Sequence, residues 1–162
     1  MLEATVAMDT STERASEAFD FEFEGKCSFA IPRMPSPPDG FSIGLLVGPS
    51  GSGKTTILSR HFAELGDPAQ QLQWDAALSV AEQVGGGDAA EARERLTAVG
   101  LSCHAWMRPF HTLSTGERFC AELARTIGND VVIDEFSSTV DRPFARRVAC
   151  KIASFVRARG FK

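Results

Sequence analysis

Residues 41–56 read FSIGLLVGPSGSGKTT, from Phe41 to Thr56. The first seven are a near-continuous apolar run, the pattern of a central parallel strand covered on both faces. Gly48, Pro49, Ser50, Gly51, Ser52, Gly53, Lys54 and Thr55 then match G-x-x-x-x-G-K-[ST]. Glycines at these places let the backbone curl until successive N–H groups point at phosphate oxygens. A helix that starts here adds its positive N-terminal end. Lys54 supplies a cation for the β- and γ-phosphates, and the Thr55 hydroxyl is a hard oxygen ligand suited to Mg²⁺. Thr56 lies in that helix, whose apolar face is Ile57, Leu58, Phe62 and Leu65, with Gly66 as its stop. Strand, glycine turn and helix in this order predict a phosphate cradle.

Downstream, Val131-Val132-Ile133 is a short β-branched run that ends in Asp134-Glu135. It reads as a second buried strand. Adjacent acids fit such a strand at its C-terminal end, where α/β sheets place ligands. Asp134 suits Mg²⁺, and Glu135 suits the general base that orients and deprotonates an attacking water. Leu113-Ser114-Thr115-Gly116-Glu117 opens a helix that shows Phe119, Leu123 and Ile127 inward. Ser114 and Glu117 have capping-box spacing, and a capped helix start with a hydroxyl and a glycine also suits a γ-phosphate. Asp88 with Glu91 predicts another capped helix, running to Gly100, after a flexible Gly85-Gly86-Gly87 connector. A last helix over about 143–158 places Phe144, Val148, Ile152 and Phe155 on one face.

Upstream, residues 1–18 are polar and read as a flexible lead-in, with one domain over 19–162. Phe19, Phe21 and Phe23 alternate with charged residues, the period of one or two half-buried strands within 19–31. Four prolines (Pro32, Pro35, Pro37, Pro38) then require a loop. The whole chain has 162 residues, 43% apolar and 23% charged, with a net charge of −4. That is one ordinary globular domain by length and usage, and it excludes fibrous or wholly disordered classes. The small acidic excess argues against a generally basic nucleic-acid coat, though not against a local patch. No apolar run approaches a membrane span, and the first ten residues lack the parts of a signal peptide. The scattered cysteines, Cys27, Cys103, Cys120 and Cys150, read as reduced thiols of a cytoplasmic protein. Alternating strands and helices imply an α/β fold with a mainly parallel sheet.

The order GPSGSGKTT, LSTGE, VVIDE and then Ser137-Ser138-Thr139-Val140-Asp141 resembles the ATP-binding cassette (ABC-type) ATPase domain, over about 41–158. The resemblance implies a P-loop three-layer fold with a mainly parallel central sheet, short antiparallel N-terminal strands and a reduced helical subdomain. It implies Mg·ATP hydrolysis by a head-to-tail dimer. Each nucleotide would meet Lys54 and Thr55 of one chain and Ser114 and Gly116 of the other, with Asp141 at the dimer interface. It also implies an aromatic ring on the adenine, for which Phe19, Phe21 and Phe23 are candidates beside a core role.

Thr115 and Glu117 stand where transporter members usually have Gly and Gln, and Phe136 where they usually have Pro. The interval between Lys54 and Ser114 is short for the family. These features favour a soluble, non-transport form, alone or fused to another domain, over a transporter subunit with a membrane partner. For the Q-loop glutamine, Gln70, Gln71 and Gln73 are open, as is a plain surface loop. The family's switch histidine follows the acidic strand, whereas His61, His104 and His111 all precede Asp134. The sequence therefore reads as C-terminally incomplete. In the family the strand that carries this histidine lies between the two motif strands, so its loss would leave both with unpaired edges.

Cys103, His104 and His111 match no common zinc spacing. Trp74 and Trp106 read as packing residues. The basic cluster Arg142, Arg146, Arg147, Lys151, Arg157 and Arg159 reads first as a solvated helix face, with a DNA or RNA contact as the second reading. Besides hydrolysis, a P-loop small-molecule kinase and a nucleotide-binding fragment without turnover remain open.

Overall fold

A computed structural model describes residues 2–32, 34–36, 38–65 and 72–162. Gly66, Gln70, Gln71 and Pro37, named above, lie outside them. The order along the chain is β1 (Leu2–Thr5), α1 (Thr10–Ala18), β2 (Lys26–Phe29), α2 (Lys54–His61), α3 (Val80–Gly85), α4 (Ala89–Val99), α5 (Cys103–Trp106), a 3₁₀ turn (Phe110–Thr112), α6 (Thr115–Thr126) and α7 (Arg142–Arg159).

The α/β expectation is overturned: the chain is mostly helical, and among the described residues there is no parallel central sheet of a three-layer P-loop fold. The sheet that forms has two antiparallel strands, with Leu2 opposite Phe29 and Thr5 opposite Lys26. Residues 41–47 and 131–133 are not strands. Leu45 and Val47 are 82% and 76% exposed, the reverse of a central strand. The physical reason is pairing. A strand needs neighbours for its N–H and C=O groups, and apolar content alone does not supply them. Neither segment lies beside another strand among the described residues. Within 19–31 only Lys26–Phe29 is extended in a sheet, and its partner comes from residues 2–5. Phe19 and Phe21 are largely exposed.

Helices α4, α6 and α7 follow local signals closely, whereas α2 ends at His61, short of the Phe62 and Leu65 expected on its apolar face. The Asp88 carboxylate accepts from the Ala90 and Glu91 N–H groups to start α4, and Gly100, at φ 77°, ends it in the left-handed region. Ser114 starts α6 through a complete capping box. Asp141 starts α7 by accepting from the Phe144 N–H at 2.8 Å, and Gly160 ends it.

The core sits among α3–α7. Val80, Leu96, Val99, Ala105, Cys120 and Ala121 are essentially sealed from solvent. α6 contributes most, burying Phe119, Cys120, Ala121, Leu123 and Ala124, and α7 closes over it with Val148, Phe155 and Val156. Arg95 ties α4 to the end of α6, donating to the carbonyls of Ala124 and Ile127 at 3.1 and 2.7 Å. Trp106 donates to the Leu101 carbonyl at 2.9 Å, and Trp74 stacks on Phe110 with ring centroids 4.4 Å apart. Both tryptophans are thus packing residues. Among the described residues, no helix is long and apolar enough to cross a membrane.

All four cysteines are free thiols, three exposed and one buried. Burial pushes the Cys120 thiol up to about 11. At pH 8 a disulfide reagent should therefore titrate Cys27, Cys103 and Cys150 promptly, and Cys120 only after denaturation. Four thiols reacting at one rate in the folded protein would contradict this packing.

Candidate functional site

The glycine loop is built as a curl. Gly51 and Gly53 have φ of 75° and 82°, a region that favours glycine, and Gly53 is the N-cap of α2. Gly53 is doubly constrained, because a Cβ there would stand 3.0 Å from the Phe29 ring. Phe29 on β2 is thus the aromatic residue against the loop. Phe19, Phe21 and Phe23, the candidates for an adenine-stacking ring implied by the resemblance, line a shallow apolar hollow along α1. The missed signal is the alternation itself, which continues through the glycine turn at Gly25 into β2.

Within the curl, the Lys54 ammonium donates to the carbonyls of Gly48 at 3.0 Å and Pro49 at 2.7 Å. The cation closes the loop on itself. An anion entering there offers this ammonium charged acceptors in place of neutral ones, and charge-assisted hydrogen bonds are the stronger kind.

The Thr55 hydroxyl donates to Asp134 Oδ2 at 2.7 Å, across 79 positions of sequence. Glycine loop and acidic pair are therefore brought together although the expected sheet is absent. The other oxygen of Asp134 accepts from the Glu135 N–H at 2.9 Å. Glu135 and Ser137 have φ of 51° and 73°, conformations that non-glycine residues seldom adopt. The chain turns tightly over 134–140, where an extended strand end was expected.

Phe136 anchors this turn. Its ring meets Phe119 of α6 edge-on at 5.6 Å, and Phe119 in turn meets Phe144 of α7 at 6.5 Å. Phe136 is therefore an aromatic anchor between the acidic turn and α6. Beside it lies a cavity of about 280 Å³, lined by Phe119, Glu122, Thr126, Asp134, Glu135 and Ser138 among others. Burial pushes the Glu122 carboxyl upward, partly offset by Arg118. The Thr126 hydroxyl is buried without a partner.

Ser114, Gly116 and Asp141 make contacts of their own. Glu117 accepts from the Ser114 N–H at 2.8 Å and from its hydroxyl at 2.9 Å. Gly116 faces the Phe144 ring, so the start of α6 packs toward the start of α7. The Asp141 carboxylate is engaged as the α7 cap. No hydrogen bond or ion pair joins these three residues to the glycine loop among the described residues. Gln73 is exposed, and its carbonyl accepts from Arg125 at 2.7 Å.

Thr55 Oγ and the Asp134 carboxylate are the hard oxygen donors that Mg²⁺ prefers, and they already lie within one coordination sphere of each other. The donor set fits that ion. Among the described residues no group of three or more His, Cys, Asp or Glu is gathered for a metal, Cys103, His104 and His111 included. No family model matches the sequence, and no curated protein matches it.

The two Ser114 bonds, with the Arg108 guanidinium behind them, hold the Glu117 carboxyl below its usual range. A depressed value contributes stability at neutral pH that is lost as pH falls through it. The melting temperature of Glu117→Gln should accordingly fall less than that of the parent between pH 7 and 3. Ser114→Ala should cost about 1 kcal/mol at neutral pH, the usual worth of an N-cap. Parallel pH curves for parent and Glu117→Gln would contradict the capping box.

Proposed function

We propose that the chain binds Mg·ATP in the Gly48–Thr56 loop and hydrolyses it with Glu135 as general base, as an ATPase of the ABC type. One observation carries the reading: the Thr55 hydroxyl and the Asp134 carboxylate, 79 positions apart, meet at 2.7 Å beside the Lys54 ammonium's own loop. A glycine turn with an incidental lysine gives no reason for that meeting.

The chain's own groups divide the work. Backbone N–H groups of Gly51, Gly53 and Lys54 lie in the curl and suit phosphate oxygens, while that of Ser52 donates to the Pro49 carbonyl at 3.3 Å. Lys54 releases its two carbonyls and turns its charge to the β- and γ-phosphates. Thr55 and Asp134 would hold the Mg²⁺. The chemistry this ion supplies when bound is neutralisation of charge on the phosphate oxygens. Glu135, exposed at the rim of the acidic cavity, orients water for in-line attack and takes its proton. Ser114 and Gly116 are offered to the γ-phosphate of a nucleotide on a second chain, and Asp141 to the seam between the two, in a head-to-tail homodimer.

Turnover without transport suits the short interval between the motifs, so a soluble ATPase, alone or fused, is preferred over a membrane-partnered subunit. One observation favours a second reading, nucleotide binding without turnover. Glu135 sits in a tight turn at positive φ, and among the described residues no hydrogen bond or ion pair holds its carboxylate.

Phosphate release from Mg·ATP separates them. The parent should turn over. Lys54→Ala should lose nucleotide affinity, and Glu135→Gln should keep affinity but lose about a hundredfold or more in rate, the scale of a lost general base. Binding through Lys54 with no phosphate release would establish the second reading. No binding at all would overturn both.

A further inference from the structure

The charge of this chain is segregated. All 21 Asp and Glu precede Arg142, while seven of the 17 Lys and Arg follow at 142–162. Helix α7 carries five arginines and one lysine over 18 residues and no acid. Segregation of this kind is a statement about partners, because a protein with net charge −4 gains nothing in solubility by gathering its cations on one helix.

The fold decides where these cations point. Ala145, Val148, Phe155 and Val156 are buried against the core, so the opposite side of α7 faces solvent. Arg142, Arg146, Arg147, Lys151 and Arg157 are all exposed. Arg142, Arg146 and Arg157 fall within about 60° of one another around the helix at 100° per residue. Arg147 lies to one side of them, over the Phe144 ring at 5.6 Å. Lys151 lies farther round, near Gly100 at the end of α4.

Their pairing is equally uneven. Arg159 is bound by Glu91 and Glu94 of α4 at 3.0 and 2.9 Å. The other five have no carboxylate within ion-pair distance among the described residues. Asp141, the nearest acid in sequence, is occupied as the helix cap. The stripe from Arg142 to Arg157 is about 22 Å long at 1.5 Å per residue. A nucleic-acid strand presents about six phosphates over that length.

We infer that the solvent face of α7 docks on the phosphate backbone of a nucleic acid, without base-specific contacts. Charge complementarity names the partner, and the packing of α7 selects among polyanions. An amphipathic helix held by an anionic bilayer buries its apolar face among the lipids. The apolar face of α7 is already spent on the core. Small polar residues, Cys150 and Ser154, lie between the arginines and leave the face open to a backbone at close range. Contacts to phosphate carry no sequence information, so affinity of this kind is electrostatic and falls with salt.

The test uses the full chain and a fluorescent 20-base-pair DNA duplex, with the matching single strand of RNA as a second probe, read by anisotropy at rising salt. The parent should bind one or both at low salt. Arg146→Gln/Arg157→Gln should weaken binding at least tenfold and flatten the log–log salt slope by about two, one per lost phosphate contact. Arg14→Gln/Arg93→Gln removes the same charge from exposed positions elsewhere and should bind as the parent does. All these residues are exposed, and circular dichroism is the check that each variant folds. Lys54→Ala should keep the binding, so this result stands or falls apart from the nucleotide reading. No binding by the parent, equal loss in both double variants, or binding only to phosphatidylserine vesicles would overturn the inference.

Discussion

Among the described residues one hydrogen bond, from the Thr55 hydroxyl to the Asp134 carboxylate, joins the glycine loop to the acidic turn. On one side of it lies a glycine curl closed by its own lysine. On the other lies a tight turn, pinned by Phe136 to Phe119 of α6. The bond is strong in kind, because its acceptor is ionised. Its oxygens are also those a divalent cation would take, so the contact that positions the two segments is the contact a metal would use.

Around that bond the scaffold is helical. The core of α3–α7 fixes α6, α6 fixes the aromatic ring that holds the acidic turn, and the turn presents Asp134 and Glu135 beside a cavity. Precision at the site therefore descends from the packing of Phe119 and its neighbours, where a parallel sheet would otherwise provide it. The price is backbone strain at Glu135 and Ser137.

How legible this was depends on the range of the signal. Helices announced by side-chain caps, at Asp88 and Ser114, were readable because both partners lie within three residues, while the Asp141 cap of α7 was not read. Glycines at 51, 53 and 100 marked their turns for the same local reason. The strands at 41–47 and 131–133 were misread because apolar runs record a tendency to be covered, while a strand requires a partner elsewhere in the chain. β1 was missed for the converse reason, since its residues look polar and its stability comes from β2. At the site, motif spacing singled out Lys54, Thr55, Asp134 and Glu135. Meeting of the first pair with the second needs tertiary structure. The alternation that starts at Phe19 runs on to Phe29, but that this ring lies against Gly53 needs tertiary structure.

The central claim is that loop and turn form one site. Calorimetric titration of Mg·ATP into the parent, Thr55→Val, Asp134→Asn and the double variant tests it most directly. The account predicts that each single change weakens binding and that the double variant is little worse than either, because both remove the same site. Additive losses, or affinity indifferent to Asp134, would contradict it.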